Sequence, residues 1–414
     1  MNILIVSHYF WPENLRINDL ALGLVDKGHF VTVLTGIPNY PEGKFYEGYS
    51  FFKKLKENYK NIKIIRVPVI PRGKARKIDM ILNYLSYPLM GSLLGPFLCK
   101  DKYDVIFVPQ YSPFTVGIPA VVLKWFKKSP ILFWVQDLWP ESVVTAKDSI
   151  KSPFILKLIE KMVRFVYKNC DKVLIQSKAF IDNLEKMGVN QEKIYYFPNW
   201  AGEFSQQDSV SEKKEKVPDL PKGFRLMYAG NIGTIQDFET ILTSMEKLKN
   251  YTDIHLIVIG EGRNSGWVRE QVKLRNLDKN VHLLGRKPIN EMPYYYSQAD
   301  AMLVTLKTEP IFALTIPNRV QSYLASGRPI IAGLDGEGAR VINEAGGGLT
   351  CPSSRPEELK DIILKLYKKT PTERTEMGSK GLDYYRKNFD YNMLMDKLVN
   401  LMANISECPI RKAY

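Results

Sequence analysis

Two doubly wound α/β halves are predicted for this chain of 414 residues, and three observations predict them. Short apolar runs of strand length recur along it, and the stretches between them carry apolar residues at helical spacing. The alternation stops once, in a polar stretch near the middle, and then begins again. At 45% hydrophobic and 25% charged residues the chain is ordinary globular material, long enough for two domains.

NILIV (residues 2–6) reads as the first buried strand, and the helical spacing from Asn18 to Lys27 ends at Gly28. HFVTVLTG (His29–Gly36) is the next strand, with His29 structural at its start. IKIIRVPV (Ile62–Val69), DVIFVP (Asp104–Pro109), ILFWVQD (Ile131–Asp137) and KVLIQS (Lys172–Ser177) continue the series, giving a first domain over residues 1–200. From Trp200 to Gly223 the chain is polar, charged and bracketed by Pro and Gly, which reads as an exposed linker over 201–223. FRLMYAG (Phe224–Gly230), IHLIVIG (Ile254–Gly260), VHLLG (Val281–Gly285), AMLVTL (Ala301–Leu306) and RPIIAG (Arg328–Gly333) are the strands of a second domain over 224–384. The tail has helical spacing from Pro356 to Ala403, and its last helix, about 385–414, is expected to pack back on the first domain.

The four cysteines, Cys99, Cys170, Cys351 and Cys408, form no C-x-x-C pair and have no spaced His ligands, so neither a disulfide framework nor a zinc site is indicated. MNILIVSHYF has no basic leader and no cleavage site, so a cytoplasmic protein is expected. A net charge of +14 calls for anionic partners. Nucleic acid is not expected, because the basic residues are spread through helices and no RNA-binding motif appears.

One segment breaks the pattern. Ile81–Leu98, ILNYLSYPLMGSLLGPFL, is 18 residues without a charge and follows RGKARK (Arg72–Lys77). Pro88, Gly91, Gly95 and Pro96 are expected to interrupt a membrane-spanning helix there. Basic residues beside an apolar surface mark binding to anionic lipid, so an interfacial segment is expected, with a buried helix pair as the alternative.

The stretch Ala313–Gly333 joins two buried strands by a short helix, with Pro317 in its first turn and Gly327 as its stop. In an open parallel sheet ligands bind beyond the carboxyl ends of the strands, and a helix start favours phosphate. Arg319 in that first turn would add a permanent charge and forked donors suited to a diphosphate. YAGNIG (Tyr228–Gly233) is a strand running into a glycine-bracketed turn, where backbone amides can approach an anion.

Taken with GEGR (Gly260–Arg263), LLGRKP (Leu283–Pro288) and YLASGRPIIAG (Tyr323–Gly333), in this order and spacing, the second half resembles the GT4 glycosyltransferases. SHYFWPEN (Ser7–Asn14), GHFVTVLTGIPNYPEGK (Gly28–Lys44) and VQDLWPES (Val135–Ser142) make the first half similar to bacterial enzymes that build O-antigen and capsule, nearest to the N-acetyl-L-fucosamine transferases. The resemblance implies a GT-B fold, two Rossmann-like domains facing across a cleft, with a UDP-sugar on the C-terminal domain and the acceptor on the N-terminal one. The implied reaction moves N-acetyl-L-fucosamine or a related N-acetylhexosamine to a polyprenyl diphosphate-linked saccharide on the anionic inner face of the membrane. No cofactor is expected beyond the UDP-sugar substrate, and no metal, since no Asp-x-Asp loop is present.

The chain departs from the family pattern twice. Where most members have Glu-x7-Glu, it has Leu314 and Ser322. The Arg and Lys that normally hold the diphosphate are replaced by Asn231 and Gln236. The expected donor set is therefore Gly230, Asn231, Ile232, Gly233, Asn318, Arg319 and Ser322, with Arg263, Arg286 and Lys287 as secondary candidates.

In the first half, His8, Glu13 and Asp137 are the catalytic candidates and Trp11, Asn14, Arg16, Tyr40, Trp139 and Glu141 the acceptor candidates, all following strand ends. Asp137 is the general base if the anomeric centre is inverted; if configuration is retained it only positions substrate. A UDP-sugar 2-epimerase has the same two-domain architecture and is the competing reading. Dependence on an acceptor separates the two.

Overall fold

The computed structural model describes residues 1–74, 76–111, 113–144, 152–202 and 220–406. The chain divides into two compact units, Met1–Pro198 together with the segment from Asn392 onward, and Asn199–Tyr391. Most of the expected linker, 203–219, lies outside the described residues, as does Cys408. The linker's first residues are not exposed: Trp200 and Ala201 are buried, with the Trp200 ring 5.5 Å from that of Tyr391. A large indole gains more from burial than a polar neighbourhood in the sequence suggests, so the second unit starts earlier than the composition shift.

The first unit is built on an eight-stranded sheet. Its strands are β1 (Asn2–Val6), β2 (Phe30–Gly36), β3 (Lys56–Tyr59), β4 (Ile62–Val67), β5 (Val105–Gln110), β6 (Ile131–Val135), β7 (Lys172–Ile175) and β8 (Ile194–Tyr196). The order is β3-β4-β2-β1-β5-β6-β7-β8, and only the β3–β4 pair is antiparallel. β1, β5 and β6 are almost wholly buried, as parallel strands covered on both faces must be. The polar edge strand β3 and the three-residue β8 carry no such apolar signal, which is why the sequence does not announce them. The last helix, Tyr391–Ser406, buries Leu394, Met395, Leu398 and Met402, and Lys27 forms an ion pair with Asp396.

The expected break within Ile81–Leu98 is absent. One continuous helix runs from Lys77 to Leu98, with Pro88 and Pro96 inside it. A proline there leaves the carbonyl four residues earlier without its N–H partner. For Pro88 that carbonyl is Tyr84 O, and the Thr115 hydroxyl donates to it at 3.1 Å. The glycines serve close packing: a side chain on Gly91 would meet Pro119 at 3.1 Å, and one on Gly95 would meet Leu34 at 3.1 Å. The residues read as helix breakers thus form the buried face, while Ile78, Ile81, Leu82, Leu85, Leu89, Leu93 and Phe97 are exposed. Among the described residues no helix is long and apolar enough to cross a membrane.

The second unit carries a six-stranded, all-parallel sheet, β9 (Phe224–Ala229), β10 (Ile254–Ile259), β11 (Val281–Leu283), β12 (Ala301–Thr305), β13 (Ile330–Gly333) and β14 (Gly348–Cys351), in the order β11-β10-β9-β12-β13-β14. Alternation along β9 feeds both faces: Leu226 and Tyr228 join one core cluster, Met227 and Ala229 the other. The β12 to β13 crossover is right where the sequence puts it. Its helix is Asn318–Ala325, and Pro317 is the cap rather than the first helical residue. Gly327 ends it at φ +66°.

Candidate active site

In the first unit the carboxyl ends of β2, β1, β5, β6 and β7 lie side by side, and the candidates follow β1, β2 and β6. His8 is buried between the rings of Tyr9 and Tyr87, at 4.2 and 4.8 Å. Burial, with the charge of Arg72 added, lowers its imidazole to about 3, so His8 is a neutral packed ring near pH 7.

Glu13 is buried and its oxygens are taken by the backbone. One accepts the N–H groups of Asn39 and Tyr40 at 2.8 and 2.7 Å, the other that of Phe10 at 3.0 Å. Burial lifts its carboxyl to about 7 while those amides pull the other way. Glu13 therefore ties the loop after β2 to the loop after β1. Trp11 stacks on Tyr59 at 3.9 Å, and its carbonyl accepts Arg66 Nη2 at 2.6 Å. Arg66 is itself fully buried and pairs with Glu57 at 2.6 Å. Tyr40 lies under the Arg72 guanidinium at 4.9 Å, Asn14 is exposed, and Arg16 opens the first helix.

Asp137 follows β6, half-buried, and its carboxylate makes no hydrogen bond or ion pair among the described residues. Burial alone lifts it to about 7. Beside it Trp139 packs on Phe114 at 5.3 Å with its indole N–H buried and unpartnered, and Glu141 accepts Asn183 Nδ2 at 3.1 Å. Two buried residues at the same strand ends escape the sequence reading. Among the described residues neither side-chain polar atom of Gln110 is hydrogen-bonded, nor is the Gln176 amide oxygen. Each is the first polar residue after an apolar run, VIFVP and VLI, and that is the signal that would have found them.

In the second unit the strand ends are built from glycine. Gly230 and Gly260 have φ of +137° and +140°, and a side chain on Gly260 would sit 1.9 Å from the Gly230 carbonyl. Arg319 reaches over this turn: a side chain on Gly230 would strike its Nε at 2.6 Å. The guanidinium lies 4.5 Å from the Tyr228 ring and donates to the Asn231 carbonyl at 2.9 Å. It has no carboxylate partner among the described residues. The structure thus joins Arg319 to Gly230 and Asn231 although 88 residues separate them.

Ile232 and Gly233 are buried in the same turn, and the Gln236 side-chain oxygen accepts the Gly233 N–H at 2.9 Å. Ser322 is half-buried and Asn318 exposed on the crossover helix. Arg263 and Arg286 are exposed and Lys287 half-buried. A cavity of about 260 Å³ opens beyond β10 and β11, lined by Ile232, Gly260, Glu261, Ser265, Leu283 and Gly285 among others. Glu261, missed by the sequence reading, is held below the usual carboxylate range by the Ser265 hydroxyl and then by Arg269. Among the described residues no three His, Cys, Asp or Glu side chains converge as metal ligands.

Two family profiles match the chain: Glycosyltransferase Family 4 over residues 15–201, and Glycosyl transferases group 1 over residues 223–369. The chain is a GT4-type glycosyltransferase. The probable glycosyltransferase WbjE of Pseudomonas aeruginosa is 28% identical over 237 residues, 55% of this chain and 58% of that one. The match therefore spans little more than half of that relative. The putative colanic acid biosynthesis glycosyl transferase WcaI of Escherichia coli is 22% identical over 79% of this chain and 82% of its own. HepE of Anabaena, solved in complex with UDP, superposes with a TM-score of 0.66 over 98% of this chain and all of its own, at 12% identity. The fold of this GT4 enzyme is accordingly GT-B. Its glycosyltransferase family removes the 2-epimerase alternative.

Proposed function

We propose that this GT4 enzyme transfers a sugar from a UDP-sugar to the saccharide of a polyprenyl diphosphate-linked acceptor, working on the anionic inner face of the membrane. The observation that carries the reading is Arg319, a guanidinium with no acidic partner among the described residues, held over the side-chain-free Gly230–Asn231 turn, where the diphosphate of a nucleotide sugar would approach closely and meet a fixed charge. HepE binds UDP on the same fold, which supports a uridine nucleotide. The likeness to the N-acetyl-L-fucosamine transferases supports that sugar or a related N-acetylhexosamine, and the colanic acid relative supports a cell-surface polysaccharide.

On this reading Asp137 accepts the proton of the acceptor hydroxyl as its oxygen bonds to the anomeric carbon. The bond from that carbon to UDP breaks, and UDP leaves with its charge met by Arg319. The exposed apolar stripe of the Lys77–Leu98 helix, beside Lys74, Arg76 and Lys77, supports the membrane part. The test incubates the enzyme with a panel of UDP-N-acetylhexosamines and a short-chain prenyl diphosphate saccharide, and follows UDP release. Release that depends on the acceptor is expected; release without it, or with none of the donors, would overturn the reading. The product's anomeric configuration, read by NMR, decides whether Asp137 acts as a base.

A further inference from the structure

The four cations Arg72, Lys74, Arg76 and Lys77 look equivalent in the sequence and are not equivalent in the fold. Lys74, Arg76 and Lys77 are exposed, and Arg76 pairs with Asp79 at 3.0 Å. Arg72 is half-buried and turned onto aromatic faces, 4.9 Å from the Tyr40 ring and 6.0 Å from that of Tyr9. Its Nε donates to the Met80 sulfur at 3.3 Å. No carboxylate lies within ion-pair reach of it among the described residues.

Its backbone is fixed as firmly as its side chain. The Arg72 N–H donates to Asn39 Oδ1 at 3.1 Å, and Asn39, fully buried, donates its own N–H to Glu13 at 2.8 Å. The next N–H, of Gly73, donates to the Gly43 carbonyl at 2.8 Å. A side chain on Gly43 would lie 1.9 Å from the Gly73 carbonyl, so the two loops touch backbone to backbone. The Glu13–Asn39 chain fixes the Arg72 backbone, and Met80 with the Tyr40 and Tyr9 rings holds its guanidinium, with both terminal nitrogens unused by any acidic group among the described residues. A braced, forked cation of this kind matches the oxygens of a phosphate ester, whereas flexible lysines meet lipid headgroups as point charges.

We propose that Arg72 is the anchor for the diphosphate of the lipid-linked acceptor, setting it where the Lys77–Leu98 helix begins so that the prenyl chain runs onto the exposed apolar stripe. The assignment rests on the acceptor reading given above. It identifies the chemistry as a phosphate ester, whose two possible sources are the acceptor and a phospholipid headgroup, and commits to the acceptor.

The test compares wild type, Arg72→Gln and Arg72→Lys in detergent. One acceptor is a short-chain prenyl diphosphate saccharide, the other an alkyl glycoside of the same saccharide with no phosphate. Thermal melting checks the fold of each variant, and flotation with anionic liposomes is measured in parallel. For Arg72→Gln the KM for the diphosphate acceptor should rise roughly 10- to 100-fold, the effect of losing charged hydrogen bonds. The KM for the alkyl glycoside and the flotation should hold, and Arg72→Lys should fall between. An equal rise with both acceptors makes Arg72 only a structural brace and overturns the assignment. So does reduced flotation with an unchanged KM in detergent, which makes it a headgroup contact, and so does no change at all. Wild type that shows no preference for the diphosphate acceptor sinks the acceptor reading itself; a wild-type preference that survives in Arg72→Gln sinks only the role of Arg72.

Discussion

The strand ends of the two units are built from different materials. In the second unit they are backbone: glycines at positive φ bring main chains together, and a single guanidinium lies over them. In the first unit they are side chains: buried Glu13, Arg66 and Asn39 hold loops, and the Asp137 carboxylate, unpaired among the described residues, precedes Trp139. A surface of bare glycine backbone and one cation suits a partner whose charge is the same in every donor, the diphosphate. A surface of carboxylate, aromatic and neutral amide groups suits one recognised by hydroxyls and ring faces.

The contrast predicts where damage will be structural and where it will be chemical. Arg66→Ala leaves the Glu57 carboxylate and the Trp11 and Lys54 carbonyls without their donor, and should cost the first unit about 3–5 kcal/mol in urea unfolding. A loss below about 1 kcal/mol would mean that the buried ion does not brace the loops.

Asp137→Asn should lower kcat by roughly 100-fold or more with UDP affinity unchanged. The wild-type rate should climb with pH through about 7, where the carboxyl loses its proton, and the variant should lack that rise. The same shift has a stability sign. The folded state holds this proton more tightly than the unfolded chain does, so the contribution is fully present below 3.8 and is lost as pH rises through about 7. Asp137→Asn should therefore melt higher than wild type by a margin that grows from about pH 4 to about pH 7 and is constant above that. A constant margin would mean that the carboxylate is better solvated than its half-buried position implies.

Leu89→Asp, on the exposed stripe, should weaken flotation with anionic liposomes at low salt and leave turnover of a soluble acceptor without a prenyl chain intact. Equal flotation of variant and wild type would assign the stripe to something other than lipid. The smallest effect is expected from chelation: EDTA should leave activity unchanged, and a loss restored by magnesium or manganese would show that Arg319 and the glycine turn do not suffice for the diphosphate.

The same contrast explains what the sequence made readable. YAGNIG and the β12 to β13 crossover were legible because glycine turns and strand periodicity are local, short-range signals. That Arg319 would lie on Asn231 was not, since the contact closes over 88 residues. Glu13 was read as a catalytic candidate from its place after a strand, but only the fold reveals three backbone amides filling it. The prolines of the Lys77–Leu98 helix misled for a related reason: the donor that accommodates Pro88 is Thr115, on another element. Gln110 and Gln176 stand at the polar ends of apolar strands, but a neutral amide there carries no charge that distinguishes a ligand-facing side chain from a strand terminator.

That one guanidinium over a glycine turn holds the donor diphosphate is tested most directly by calorimetry of UDP binding. Wild type and Arg319→Ala should differ by about 1.5–3 kcal/mol, roughly 10- to 150-fold in Kd, with Arg319→Lys in between. Equal affinity of wild type and Arg319→Ala for UDP would contradict it.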